Sequence, residues 1–358
     1  MAQYFTERLQ KVFHMIFTSY NQKLAQEGLR QLELIVNNQQ TPSQLKDRAL
    51  RNDKTSRLES DIDNKEDALK IANDPEAREL GDAYALLARV YAGPRFTWEE
   101  SNFPEDNMRT YQCLHDSIRR CSPIGTLQAL RIKGSITPTV EKDMQISFDE
   151  AFRIVYDYAN QGDAYCQYVI GNVFFWRDDN RISSAETMLT PPPMSWTKRI
   201  QKSITANSMQ DRIAALQGTV PDETLQENAS NLAKEWFNKA LDNGLAMFQG
   251  NLRNIYIDEA DFSNARRVAR TAAELGNPAM MLYTGLDCHE NGKFEDAFTW
   301  FTKGASLGQS ESIAELADYY YHFYDAKALR STIPYDPVKA IGLYRRAATK
   351  QFSDAGYT

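Results

Sequence analysis

The chain has 358 residues, 42% of them hydrophobic and 25% charged, and a formal net charge of −7. That is enough apolar side chain for a continuous core, while the absence of a Lys/Arg run removes the electrostatic footprint that a nucleic-acid partner requires. No basic-then-apolar leader opens the sequence and no stretch of about 18 apolar residues is present to span a bilayer, so a cytoplasmic protein without a membrane partner is expected.

In chain order, the first predicted element is an amphipathic helix. Phe5, Leu9, Val12, Phe13, Ile16, Phe17 and Tyr20 form one apolar stripe. Leu29, Leu32, Ile35 and Val36 form a second, and Thr41-Pro42 reads as a cap followed by a first helical position. Residues 1–75 are expected to be a divergent helical cap whose stretch 46–67 is highly charged. Residues 76–162 read as degenerate helix pairs. An insert at about 93–107 carries Trp98, expected to pin that loop to the helices, and 108–123 fits no half of a repeat. The four cysteines, Cys113, Cys121, Cys166 and Cys288, form no C-x-x-C pair and predict buried free thiols.

From about 148 onward the sequence repeats. "FDEAFRIVYDYANQG", "NLAKEWFNKALDNG", "FSNARRVARTAAELG", "FEDAFTWFTKGASLG" and "PVKAIGLYRRAATKQ" share one pattern. An alanine is followed three and, in most of them, four positions later by bulkier side chains, and eleven positions later by Gly162, Gly244, Gly276, Gly308 or, in the last, Gln351. These spacings place the residues on one helical face, and the glycine supplies the left-handed conformation that ends a helix. Nine residues past the turn a small residue opens the next helix face: Gly171, Gly285 and Ala317, with Arg253 as the exception. An insert at about 177–227 separates the two helices of one pair. It contains Trp196, Ile200 and Ile204 at a spacing of four, which predicts a short helix. In the aromatic run 319–324, Tyr320 and Phe323 are expected to pack between helices and Tyr321 to be available to a partner. The last repeat, with Ile341, Leu343, Tyr344, Ala347 and Ala348, predicts a face that associates with a second copy or with the tail.

The pattern resembles the Sel-one-like repeat, a short relative of the tetratricopeptide repeat, whose loose form is G-x-x-x-A-x-x-x-L-G-x-x-Y, a variable loop, then A-x-x-W-Y-x-x-A-A-x-x-G. "GNPAMMLYTGLDCHENGKFEDAFTWFTKGASLG" carries the likeness best. The resemblance spans about 160–350 and departs at Arg253 and Gln351. It implies an all-α fold, a right-handed α-solenoid of antiparallel helix pairs, six to eight in number, with residues 163–358 as its regular part.

Such stacks present a concave surface to a protein or peptide. Counting 100° per residue from the turn, positions three, six and ten of each first helix point away from the packed face. This selects Tyr165, Tyr168 and Asn172, then Met247 and Asn254, then Leu286, then Glu311 and Asp318, as partner-binding candidates, with Asn172 and Asn254 suited to holding a peptide backbone. The alternative is a regulatory or neutralising, immunity-like subunit acting through its inserted loops. No phosphate loop, zinc motif, nucleophile elbow or dinucleotide fingerprint is present, and His14, His115, His289 and His322 have no zinc-ligand spacing. No enzyme activity, metal or cofactor is expected.

Overall fold

A computed structural model describes residues 3–38, 65–93, 97–98, 101–103, 105–131, 138–189, 196–206, 208–209, 212–213, 217, 222–247, 249–323 and 333–354. Among these the regular structure is helical, with no strand. In order, α1 is Glu7–Phe13 with a π-helical extension His14–Thr18, α2 Gln22–Asn38, α3 Lys65–Asn73, α4 Glu79–Tyr91, α5 Asn107–Arg119 and α6 Pro123–Arg131. Then follow α7 Pro138–Asp143, α8 Phe148–Asn160, α9 Ala164–Phe175, α10 Ser183–Leu189, α11 Trp196–Thr205 and α12 Asp222–Asp242. The last six are α13 Gly250–Asp258, α14 Phe262–Glu274, α15 Pro278–Glu290, α16 Phe294–Leu307, α17 Ser310–Tyr321 and α18 Pro337–Asp354.

Four of the turns between repeats share a glycine, and three of them are built the same way. Gly162, Gly244, Gly276 and Gly308 all take positive φ, from 87° to 101°. After three of them the next amide reaches back to the helix just ended: Asp163 N to Tyr158 O at 3.1 Å, Asn277 N to Ala272 O at 3.0 Å and Gln309 N to Gly304 O at 3.1 Å. The same three residues then cap the following helix. Asp163 Oδ1 accepts from Cys166 N at 2.8 Å and Asn277 Oδ1 from Met280 N at 3.1 Å, while Gln309 accepts from Ser312 N. One side chain thus follows the stop of one helix and starts the next, and each cap contributes about 1 kcal/mol.

A further turn of this kind was not legible. Cys121 sits at φ 57° where the others have glycine, Ser122 N bonds Ser117 O at 3.2 Å, and Ser122 Oγ accepts from Gly125 N at 3.0 Å. Counting back eleven positions gives buried Thr110, then Cys113, Leu114 and Ile118, all buried, so 108–123 is a regular second helix with its turn after all. At the other end, Gln351 does not stop its helix: α18 runs on to Asp354. A side chain bearing Cβ does not readily take the left-handed turn, and the helix continues.

Two compact units divide the chain: Met1–Tyr4 with Arg57–Ala85 and Leu114–Ala240, and Phe5–Ser56 with Leu86–Cys113 and Leu241–Thr358. In the first, Phe152 meets Phe174 edge-on at 6.3 Å and Tyr156 meets Trp236 at 5.5 Å. A Cβ on Gly171 would come within 2.6 Å of the Phe237 ring, so a glycine–phenyl contact fixes how closely α9 and α12 approach. This unit also holds a sealed ionic cluster. Arg78 and Asp82 are 0% and 1% exposed and pair at 3.1 Å. Arg78 also donates to Ala72 O at 2.8 Å and Tyr4 O at 2.7 Å, and lies 4.1 Å above the Tyr4 ring. Asp82 accepts in addition from Ser122 Oγ at 2.6 Å and Tyr4 Oη at 3.1 Å. Burial pushes the Asp82 carboxyl up to about 6, against the opposing pull of Arg78 and these hydrogen bonds.

In the second unit the predicted N-terminal stripe is buried throughout, and Trp98 pins its loop by donating from Nε1 to Ile16 O at 2.8 Å. Helices α13 to α18 pack each on the next. Gly285 repeats the glycine–phenyl contact, with its Cβ position 2.5 Å from Phe301. The expected packing of Tyr320 holds, but Phe323 is 71% exposed; the ring that fills the core is Tyr319, which hydrogen-bonds His289 Nδ1 at 2.7 Å. The stretch 39–64, including Thr41-Pro42, lies outside the described residues, as does the whole of 324–332.

Candidate functional site

The candidates from helical counting divide. Tyr165 and Tyr168 are buried, their rings stacked 6.1 Å apart, with Tyr168 against Phe237 at 6.0 Å. The count assumes one covered face, but α9 is enclosed on nearly all sides, so the face opposite the repeat pattern is core as well. Met247 is also buried, for a different reason: α13 begins only at Gly250, and Met247 precedes it in the turn region rather than lying on its surface. Asn172 is half-buried in the first unit; Asn254 and Glu311 are exposed in the second. Asp318 is half-buried and accepts from Tyr344 Oη. Tyr321 is exposed, its ring 6.2 Å from that of the exposed Tyr335. Leu286 lines a concave site.

That site is created by an exchange of sizes. At the contact where Gly171 meets Phe237 and Gly285 meets Phe301, the repeat between them places Arg253 and Ala269. The phenyl ring that fills the contact elsewhere is missing, and the glycine that receives it is an arginine. A hollow of about 330 Å³ opens there across α13, α14 and α15, at the lower end of the roughly 300–1,000 Å³ of small-ligand sites. Its apolar lining is Ile257, Phe262, Ala265, Ala269 and Leu286. Phe262 is 55% and Tyr283 37% exposed.

The charged lining is basic in balance: Arg253, Arg266 and Arg270 against Asp287 and Glu290. Arg266 lies 3.7 Å from Asp287. Arg253 stacks over Tyr283 with 3.8 Å between guanidinium carbon and ring centroid. Arg270 reaches Cys288 Sγ at 3.8 Å. Among the described residues, neither Arg253 nor Arg270 has a carboxylate at ion-pair distance. Cys288 is buried, and burial pushes its thiol pKa up, the opposite of an activated nucleophile. The arrangement is suited to holding an anionic group beside an apolar one. Sequence reading noted Arg253 only as a departure from the small-residue rule; its pairing with Ala269 was the available signal.

No group of three or more His, Cys, Asp or Glu is placed to hold a metal ion among the described residues. No described helix is long and apolar enough to cross a membrane. The helix expected in the long insert is present as α11, with Ile200 and Ile204 exposed and, beyond it, Met209 and Ile213 exposed as well.

The glycine turns match the pattern read from the sequence. The repeats resemble the Sel-one-like pattern. Among solved structures, the chain is similar to a Sel1 repeat protein from Oxalobacter formigenes, at 14% identity and a TM-score of 0.37, over 76% of this chain and 87% of that one. It is also similar to a protective antigen of uropathogenic Escherichia coli strains with an SLR fold, at 16% identity and a TM-score of 0.32, over 92% of this chain and 66% of that one. No family model and no curated protein matches the chain. The resemblance to Sel-one-like repeats therefore rests on the turns and contacts within the chain itself.

Proposed function

We propose that the chain is a protein-interaction module and that the cleft across α13, α14 and α15 receives a segment of a partner protein. The observation that carries this reading is the hollow itself: the repeat's filling ring is replaced by Ala269, and the space is walled by exposed Phe262 and Tyr283. Aromatic and arginine side chains around a pocket are the composition in which binding energy concentrates. A photo-crosslinking residue tests it. Tyr283→p-benzoylphenylalanine in the native cell is expected to yield a discrete crosslinked partner, and the same residue at exposed Glu274, outside the lining, is not. Equal patterns from both positions would remove the cleft from the reading.

A second reading draws on the insert. Ile200, Ile204, Met209 and Ile213 are each 39% exposed or more, and Lys198, Arg199 and Lys202 share α11 with the first two. An apolar stripe offered on an inserted helix fits a regulatory or neutralising subunit that blocks its target through that helix. Ile200→Asp with Ile204→Asp abolishes target binding under this reading and leaves it unchanged under the cleft reading.

A further inference from the structure

We infer that the occupant of the cleft is an acidic peptide segment in which an aromatic or large aliphatic side chain is flanked by carboxylates. The inference rests on the cleft reading above and adds the chemistry of the ligand. Two features of its lining point to it. The apolar floor of Ile257, Ala265, Ala269 and Leu286 is what remains where Phe237 and Phe301 stand in the neighbouring contacts. The vacancy is thus the size and character of a side chain supplied from outside. Around it stand Arg253 and Arg270, with no carboxylate at ion-pair distance among the described residues, and Arg266, which reaches Asp287 only at 3.7 Å.

The arginines are also prepared for this task. The Arg253 guanidinium is held over the Tyr283 ring, and a guanidinium engages a carboxylate through two parallel bonds. Arg270 is tethered at the Cys288 sulfur, a weak acceptor that a carboxylate outcompetes. Glu290 lies on the same rim. It opposes an anionic ligand, so its removal acts in the reverse direction to removal of the arginines. In a chain of net charge −7, a locally basic cleft discriminates: long-range repulsion disfavours acidic segments in general, and only those that also fill the hollow are retained.

The test is fluorescence anisotropy on the full chain with three fluorescein-labelled peptides in a Gly-Ser frame. One carries Glu-Glu-Phe-Glu-Glu, one has every glutamate replaced by glutamine, and one has alanine in place of phenylalanine. The first is expected to bind at least tenfold tighter than either control and to weaken as salt is raised. Arg253→Ala with Arg270→Ala is expected to lose at least tenfold toward it. Arg253→Lys with Arg270→Lys is expected to recover part of the loss, and Glu290→Gln to tighten binding severalfold. Equal binding of the glutamate and glutamine peptides, or no binding of the glutamate peptide, overturns the acidic ligand. A peptide-display selection separates this from failure of the cleft. Neutral peptides whose binding is lost in Phe262→Ala retain the cleft and discard the acid, and selected peptides indifferent to Phe262→Ala and to the arginine variants discard both.

Discussion

The molecule contains two arginine clusters with opposite characters. In one unit Arg78 is fully enclosed. Its guanidinium is spent on Asp82, Ala72 O and Tyr4 O, and its face lies on the Tyr4 ring. In the other, Arg253 and Arg270 border an open hollow, the first over a ring face and the second at a sulfur. The difference teaches how to read an arginine in a repeat protein. Where every donor has an internal acceptor, the charge is part of the frame. Where donors border a space the repeat normally fills, the charge is offered outward. Nothing in the residue type separates the two; the acceptors around it do.

The strongest way to break the contrast is at the sealed cluster. Arg78→Ala leaves Asp82 as a buried uncompensated carboxylate, which costs about 3–5 kcal/mol; chemical denaturation should show the loss, and a shift under 1 kcal/mol would mean the cluster is not integral to the frame. Next in size is the pH response. Because burial holds the folded pKa of Asp82 at about 6, above its unfolded value, this group's contribution is fully present below the unfolded pKa and fades as pH rises through about 6. Between pH 4 and 7 the stability of the natural chain relative to Asp82→Asn should fall, by about 3 kcal/mol in the limit where the whole shift is expressed. Carboxyl NMR of Asp82 should show its titration near 6. Asp149 and Glu150 run the other way: hydrogen bonds from Ser184 and an ion pair with Lys65, respectively, outweigh partial burial and lower their pKa values. Their contribution is present above the unfolded pKa and lost as pH falls, so the Asp82 variant pair is needed to isolate the opposing slope. The smallest expected effect is at the open cluster. Arg253→Ala with Arg270→Ala should change stability by less than about 0.5 kcal/mol per site, as surface substitutions do. A large destabilisation there would make these arginines part of the frame too and erase the contrast.

The repeat was legible because its marks are backbone requirements. A glycine needed at positive φ and an alanine needed at a close crossing leave few substitutes, so Gly162, Gly244, Gly276 and Gly308 announce their turns. The turn at Cys121 was hidden because cysteine there meets the same geometry without the expected residue. The orientation of Tyr165 and Tyr168 was misread for a reason of environment. One helical period reports one covered face, while a helix held between neighbours is covered all round and its remaining face carries no polar signature. The site was half legible. Leu286 fell on it by counting, but the hollow follows from the joint identity of Arg253 and Ala269, sixteen residues apart, and neither is unusual alone.

Cys121 has a further consequence. It is a thiol 0% exposed at φ 57°, and burial raises its pKa to about 11. At neutral pH it is therefore protonated, shielded, and bent into a backbone shape that relaxes as soon as the turn lets go. A soluble alkylating reagent reaches it only while the junction between α5 and α6 is open. The rate at which this one sulfur is consumed then measures the fraction of time that junction stands open, and the chain carries its own gauge of how far a repeat comes undone.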